Sequence, residues 1–148
     1  MWIVNLNPEQ CREVLEASRV ARLACCRDNQ PYVVPIHYAY ADESLYAFSL
    51  PGKKIDCMRA NPLVSVLVEQ HGEGRQWRSV LVDGRFQVLP DRIGQKKERE
   101  RAWSVLSRYS HWWLPGELKP VSPPPEDIGH PVFFKISITQ MSGRAAKE

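Results

Sequence analysis

PYVVPIHYAYADESLYAFSLPGKKIDCMRANP, residues 31–62, holds two extended runs, a tight turn between them, and a lysine-bearing turn that opens a short helix. In the run Tyr32 to Tyr40, alternation places Val34, Ile36, Tyr38 and Tyr40 on one face and Pro35, His37 and Ala39 on the other. Pro35 has no N–H for a ladder, so this strand belongs at an edge or carries a bulge. Ala41 to Ser44 turns the chain into a further strand, Leu45 to Ser49. Leu50-Pro51-Gly52 then breaks the sheet, and Lys53 to Ala60 reads as a short helix. Asn61-Pro62 ends that helix, because a residue before proline is pushed out of helical angles.

The flanks extend the same texture. Upstream, Val20 to Arg27 is a strand that pairs with the Tyr32 run through the turn Asp28-Asn29-Gln30. Before it, Asn7-Pro8-Glu9-Gln10 has the form of a capping box, and Cys11, Val14, Leu15 and Ser18 give one face of a helix over residues 8–18. Downstream come a valine-rich strand, Leu63 to Glu69, a polar loop, Gln70 to Gln76, and a long strand, Trp77 to Leu89, bent at Asp83-Gly84. Gln95 to Tyr109 is helical, with Ala102, Leu106 and Tyr109 on one face. Pro115 to Pro131 is a proline-rich surface excursion, Val132 to Ile138 closes the sheet, and Ser142 to Glu148 is a polar tail. Six short strands joined mostly by tight turns predict a mainly β protein, an antiparallel barrel with flanking helices, over a parallel α/β sheet. The chain reads as one domain, 1–148, with its core in about 7–90 plus a closing strand at 131–140.

Composition narrows the function classes. With 148 residues, 43% of them hydrophobic, the chain has material for one core. Twenty basic residues against 17 acidic ones leave a net charge of +3, too even for a dedicated nucleic-acid binder but suited to a few phosphates on a small ligand. The mixed charges from Lys96 to Arg101 read as a solvated helix face. Cys11, Cys25, Cys26 and Cys57 form no C-x-x-C pair, and His37, His71, His111 and His130 lack zinc-site spacing, so no metal is expected. Met1 to Asn7 has no signal-peptide character and no run is long enough to span a bilayer, which makes the cytoplasm the default and a membrane role unexpected.

Three constellations could carry chemistry. In Phe48-Ser49-Leu50-Pro51-Gly52-Lys53-Lys54 a strand ends in a hydroxyl, a glycine lets the backbone turn closely, and two lysines open a helix. Free amides, the positive end of the helix dipole and the lysine charges then converge, the physics of a phosphate cradle without the spacing of a nucleotide P-loop. Arg59, on the same helix, is a further candidate contact; a solvated lysine pair is the alternative. The second is Val34, Pro35, Ile36 and His37, where an open strand edge beside apolar side chains suits the rim of a flat heteroaromatic ring; an ordinary half-buried hairpin fits the same pattern. The third is Trp77, Arg78 and Ser79, a stacking face beside two phosphate-competent donors, or simply a surface strand.

Taken in order, "RVARLACCRDNQPYVVPIHYAY", "LYAFSLPGKKIDCMRANPLVSVLVE", "WRSVLVDGRFQVL" and a closing β segment ending in "MSG" resemble the pyridoxamine 5′-phosphate oxidase-like flavin-binding split barrels, and within them the branch that includes nitroimidazole-resistance reductases. The resemblance implies a homodimer of six-stranded split barrels with FMN at the subunit interface. By position, Ser49, Lys53 and Lys54 would hold the FMN phosphate, with Arg59 a weaker contact. Val34, Pro35, Ile36 and His37 would line the isoalloxazine edge, and Trp77, Arg78 and Ser79 would approach from the partner subunit. The implied activity is an FMN-dependent oxidoreductase acting on a small acceptor such as a quinone or nitroaromatic, with His37 orienting substrate or donating a proton. A non-catalytic flavin store or sensor, or a barrel using deazaflavin F420 or haem, remains open. The end Met141-Ser142-Gly143-Arg144-Ala145-Ala146 lacks the arginine and histidine contacts of true pyridoxamine phosphate oxidases, which argues against that substrate. Trp112, Trp113 and Leu114 are placed at the flavin, at the dimer edge, or in plain packing.

Overall fold

The computed structural model describes residues 1–90, 96–108 and 131–148. Its elements run β1 (Trp2–Leu6), α1 (Pro8–Ala17), β2 (Val20–Arg27), β3 (Gln30–His37), β4 (Ala39–Ala41), β5 (Ser44–Ser49), α2 (Lys53–Ala60), β6 (Leu63–His71), β7 (Trp77–Val88), α3 (Lys96–Leu106) and β8 (Val132–Lys147). All strand pairs are antiparallel, in the order β3-β2-β6-β7-β8-β5-β4, with β1 on the far end of β8. The predicted mainly β architecture holds, with eight strands where the pattern gave six.

Two strands account for the difference. β1 pairs Trp2 with Lys147 through Leu6 with Gly143, so the expected polar tail is the second half of a 16-residue β8. Ser142-Gly143-Arg144-Ala145-Ala146 has little strand propensity; its backbone is held extended because β7 bonds one edge and β1 the other. β4 is cut from the expected strand Tyr32 to Tyr40 at Tyr38, where the chain leaves one end of the sheet and joins the other. The alternation resets there, and Ala39 is buried in place of its expected outward position.

The barrel interior is closed by α1 and α2. Asn7 and Gln10 exchange capping bonds of 2.8 and 2.9 Å, and Cys11, Val14 and Leu15 face the core. Ser18, expected on that face, is the C-cap. Tyr38 donates its hydroxyl to the Leu15 carbonyl at 2.7 Å, tying α1 to the β3–β4 crossing. α1 sits so close to β8 that a Cβ on Gly143 would stand 2.8 Å from Cys11 Sγ. The expected bend at Asp83-Gly84 is a register shift against β8, with Thr139 the extra residue, donating to the Asp83 carbonyl at 2.9 Å.

A second, smaller core lies outside the barrel, where α3 lays Ala102, Val105 and Leu106 over Tyr46, Phe48 and Phe133. Tyr109 and the proline-rich stretch, with Trp112, Trp113 and Leu114, lie outside the described residues.

Candidate functional site

A seven-stranded path that begins at β3 and ends at β4, with β1 off it on β8, leaves a seam in the barrel. On one side is the free edge of β3, which carries both Pro31 and Pro35, as a strand without a second partner tolerates. On the other side is β5, whose pairing with β4 stops at Tyr46. Ala47, Phe48 and Ser49 therefore present a backbone edge unmatched by β4. α2 starts just past Ser49, at the end of this seam.

The start of α2 is chemically unusual. Its N-cap is Gly52, whose lack of a side chain leaves the first-turn amides uncapped. Lys53 and Lys54 stand where a helix dipole disfavours cations. Lys53 Nζ lies 4.7 Å from the centre of the Tyr32 ring, linking α2 to β3 across the seam. Lys54 is half-buried, and among the described residues it makes no hydrogen bond or ion pair. Burial pushes its ammonium below the ordinary 10.5. Ser49 is buried, its hydroxyl donating to the Leu50 carbonyl at 2.9 Å while its lone pairs stay available.

Along β3, Ile36 is buried, Val34 and His37 are half-buried, and Pro35 is exposed. Burial lowers the His37 imidazole from its ordinary 6.5, so it is neutral at neutral pH. The structure thus brings Val34 to His37, Ser49, Lys53 and Lys54 to one seam. Arg59 lies in the last turn of α2, at the opposite end of the helix from the lysines, where the dipole favours a cation.

Trp77, Arg78 and Ser79 open β7 on the far side of the β2–β6 pair. Pro35, Arg22, Leu67 and Leu81 form one outward row across β3, β2, β6 and β7. His37 and Ser79 each lie two residues from it in the same direction, so they face outward three strands, about 14 Å, apart. Within one chain they cannot touch the same ring. Arg78 is aimed by its neighbours: it donates to Gln70 Oε1 at 2.6 Å and lies 4.0 Å from Glu13, while Gln70 donates to Ser18 Oγ at 3.3 Å.

Sequence reasoning overlooked Tyr32. The signal was present, since the inward alternation of Val34 and Ile36 extends back to it. Among the described residues no three metal-ligating side chains converge, and no helix is long and apolar enough to cross a membrane.

Comparison with known proteins agrees with the fold. An uncharacterized protein of Rhizobium meliloti (strain 1021) is 47% identical over 146 residues, 99% of this chain and 97% of that one. The crystal structure of a FAD-binding protein from Mesorhizobium loti is 55% identical, covers 99% of this chain and 100% of its own, and superposes with a TM-score of 0.82. A candidate 5-nitroimidazole antibiotic resistance protein from Bacteroides thetaiotaomicron, 17% identical, covers 99% and 92% with a TM-score of 0.74, a likeness of fold alone. The family model for pyridoxamine 5′-phosphate oxidase matches residues 7–145, and the chain belongs to that family of split barrels.

Proposed function

We propose that the protein binds a flavin at the β3–β5 seam, as a homodimer, and uses it as an oxidoreductase on a small organic acceptor of quinone or nitroaromatic type. One observation carries the reading: a half-buried Lys54, without a partner among the described residues, at the uncapped start of α2 beside a strand edge that no described strand pairs. A buried ammonium without a counter-ion is costly, and a phosphate there supplies one. The FAD-binding relative from Mesorhizobium loti supports the flavin class. FMN is the smallest ligand that satisfies the site, and it is also the half of FAD that the seam would hold.

Lys53, Lys54, Ser49 and the first amides of α2 would hold the flavin phosphate. Val34 to His37 would meet the ring edge with free backbone groups. When bound, the flavin would supply hydride and electron transfer. His37, neutral at neutral pH, would accept a hydrogen bond from an acceptor's hydroxyl or, with its N–H, donate one to its oxygen.

The dimer rests on a separate feature. Val20, Val33, Leu63 and Leu81 are 45–62% exposed on the outer surface of β2, β3, β6 and β7. Large apolar side chains gathered on one sheet face mark an interface. A second copy there would bring Trp77, Arg78 and Ser79 to the other chain's seam, across the 14 Å that separates them within one chain. Four free thiols favour a reducing compartment, the cytoplasm.

The test is a visible spectrum of the purified protein with mass spectrometry of the released ligand. A flavin spectrum is expected; a haem or deazaflavin spectrum, or failure to bind added flavin, would replace the reading. Lys53→Ala with Lys54→Ala should weaken flavin binding by about 2–4 kcal/mol. Turnover with reduced nicotinamide and a quinone or nitroaromatic separates an enzyme from a flavin store or sensor.

A further inference from the structure

We propose that the cavity between the end of α1 and the β6–β7 hairpin is a binding site for a small dicarboxylate, held by Arg78 at one end and Lys147 at the other. The site is built on β6, β7 and β8, away from the β3–β5 seam, and does not rest on the flavin reading.

The geometry begins with β7. Val80 and Val82 are buried in the barrel, and by alternation Arg78 shares their face while Trp77 and Ser79 take the other. Arg78 therefore turns toward α1, at a cavity of about 460 Å³, a size usual for small-molecule sites. Ser18 at the end of α1, Gln70 and Gln76 on the hairpin, Arg78, and Ala145 and Lys147 on β8 line it. Among the described residues no carboxylate side chain does.

Arg78 is held ready for an anion. Gln70, its register partner on β6, accepts from Nη2 at 2.6 Å and is itself fixed by donating to Ser18 Oγ at 3.3 Å. Gln70 is neutral, so it orients the guanidinium without compensating its charge. The Glu13 carboxylate stands 4.0 Å away and its side chain is 59% exposed, a contact weak enough to yield to a ligand. The rest of the guanidinium fork suits a carboxylate, and the Ser18 hydroxyl, which accepts from Gln70, has its own hydrogen to donate. The carbonyls at the end of α1 that would repel an anion are engaged, since those of Glu16 and Ser18 accept from Arg19 Nη1 at 2.9 and 3.0 Å.

The second cation sets the ligand's length. Arg78 pairs with Ala145, and Lys147 lies two residues farther along β8 on the same face, about 7 Å along the strand. Lys147 makes no hydrogen bond or ion pair among the described residues. The Ala145 methyl borders the span and suits a ligand's methylenes. His71 also lines the cavity but lies 3.8 Å from Glu69, and the Glu148 carboxylate stands against the hairpin at Gly74. A compact tetrahedral ion would reach one cation, whereas a dicarboxylate of succinate's length reaches both.

The experiment is calorimetric titration of the intact protein with succinate, propionate and inorganic phosphate, for wild type, Arg78→Gln and Lys147→Ala, with circular dichroism to check folding. Wild type should bind succinate saturably, about tenfold tighter than propionate or phosphate. Arg78→Gln should weaken succinate by about tenfold or more. Lys147 is exposed at a strand end, so Lys147→Ala keeps the fold; it should weaken succinate by about fivefold and leave propionate unchanged. Saturating FMN should leave succinate affinity unchanged. No saturable succinate binding, phosphate binding as tight as succinate, or equal succinate affinities in wild type and Lys147→Ala would overturn the site. Displacement of succinate by FMN would overturn it as well, by placing the anion at the lysine turn, and would leave the flavin reading standing.

Discussion

β5 and the outer surface of β2, β3, β6 and β7 both carry apolar side chains that point away from the barrel interior, yet among the described residues only β5 is covered. Every residue of β5 is buried, because α3 packs over its outer face. Among the described residues no helix lies over Val20, Val33, Leu63 and Leu81, which are 45–62% exposed. The contrast teaches that the described part of the chain spends its third helix on the face of β5 and none on the face of β2, β3, β6 and β7. That exposed face adjoins the edge of β3, so the proposed association and the proposed ligand binding would be tied together.

The sharpest way to break the comparison is a charge on the bare face. Leu81→Glu should leave the monomer folded, since Leu81 already faces water, and should oppose association by about 3–5 kcal/mol per buried charge. Sedimentation should then show monomer, with flavin lost along with the dimer. A dimer that persists would mean that this face serves another purpose.

The covered face should respond in the opposite sense. Leu106→Ala removes a fully buried side chain from the outer core and should cost about 3 kcal/mol of stability in a denaturant titration, with association unchanged.

The seam between the two faces gives a pH test. Lys54 has a folded pKa below 10.5. Between that lowered value and 10.5 the unfolded chain holds the proton and the folded chain has released it, so the stability of the free protein rises with pH across this window. A bound phosphate works the other way, because it stabilises the ammonium. Flavin affinity should therefore fall by about 1.5 kcal/mol as pH rises through the lowered value. Titrations over alkaline pH should show this fall in wild type and a flatter profile in Lys54→Ala.

How far the sequence reveals these regions follows from where the information lies. Local signals were readable: the Asn7 capping box, the stop at Asn61-Pro62, the bend at Asp83-Gly84 and the alternation from Val34 to Ile36 all depend on neighbours in the chain. The lysine turn was readable too, because two cations at a helix start conflict with the dipole and so point to an anion. β1 and the second half of β8 were not, since Gly143, Ala145 and Ala146 are extended through pairing with residues more than a hundred positions away. The break at Tyr38 was hidden for the same reason. Arg59 was grouped with the lysines because it shares their helix, but eight helical residues are long enough to put it at the other end.

The smallest effect concerns what holds α3 in place. Its ion pairs include Arg101 to Asp42 at 3.0 Å, with side chains 40% and 61% exposed, and Glu98 to Lys135 at 2.7 Å, with side chains 49% and 15% exposed. If these charges were the cover's main attachment, β5 would owe its burial to electrostatics, and the bare face could be explained by a lack of suitable charges. Exposed pairs contribute only about 0.2–1 kcal/mol, whereas the apolar contact of Leu106 is worth several times more. Arg101→Ala should therefore shift stability by about 0.5 kcal/mol, and that shift should vanish in high salt. A loss as large as that of Leu106→Ala would reverse the ranking, making charge the reason one face of this barrel is clothed and the other bare.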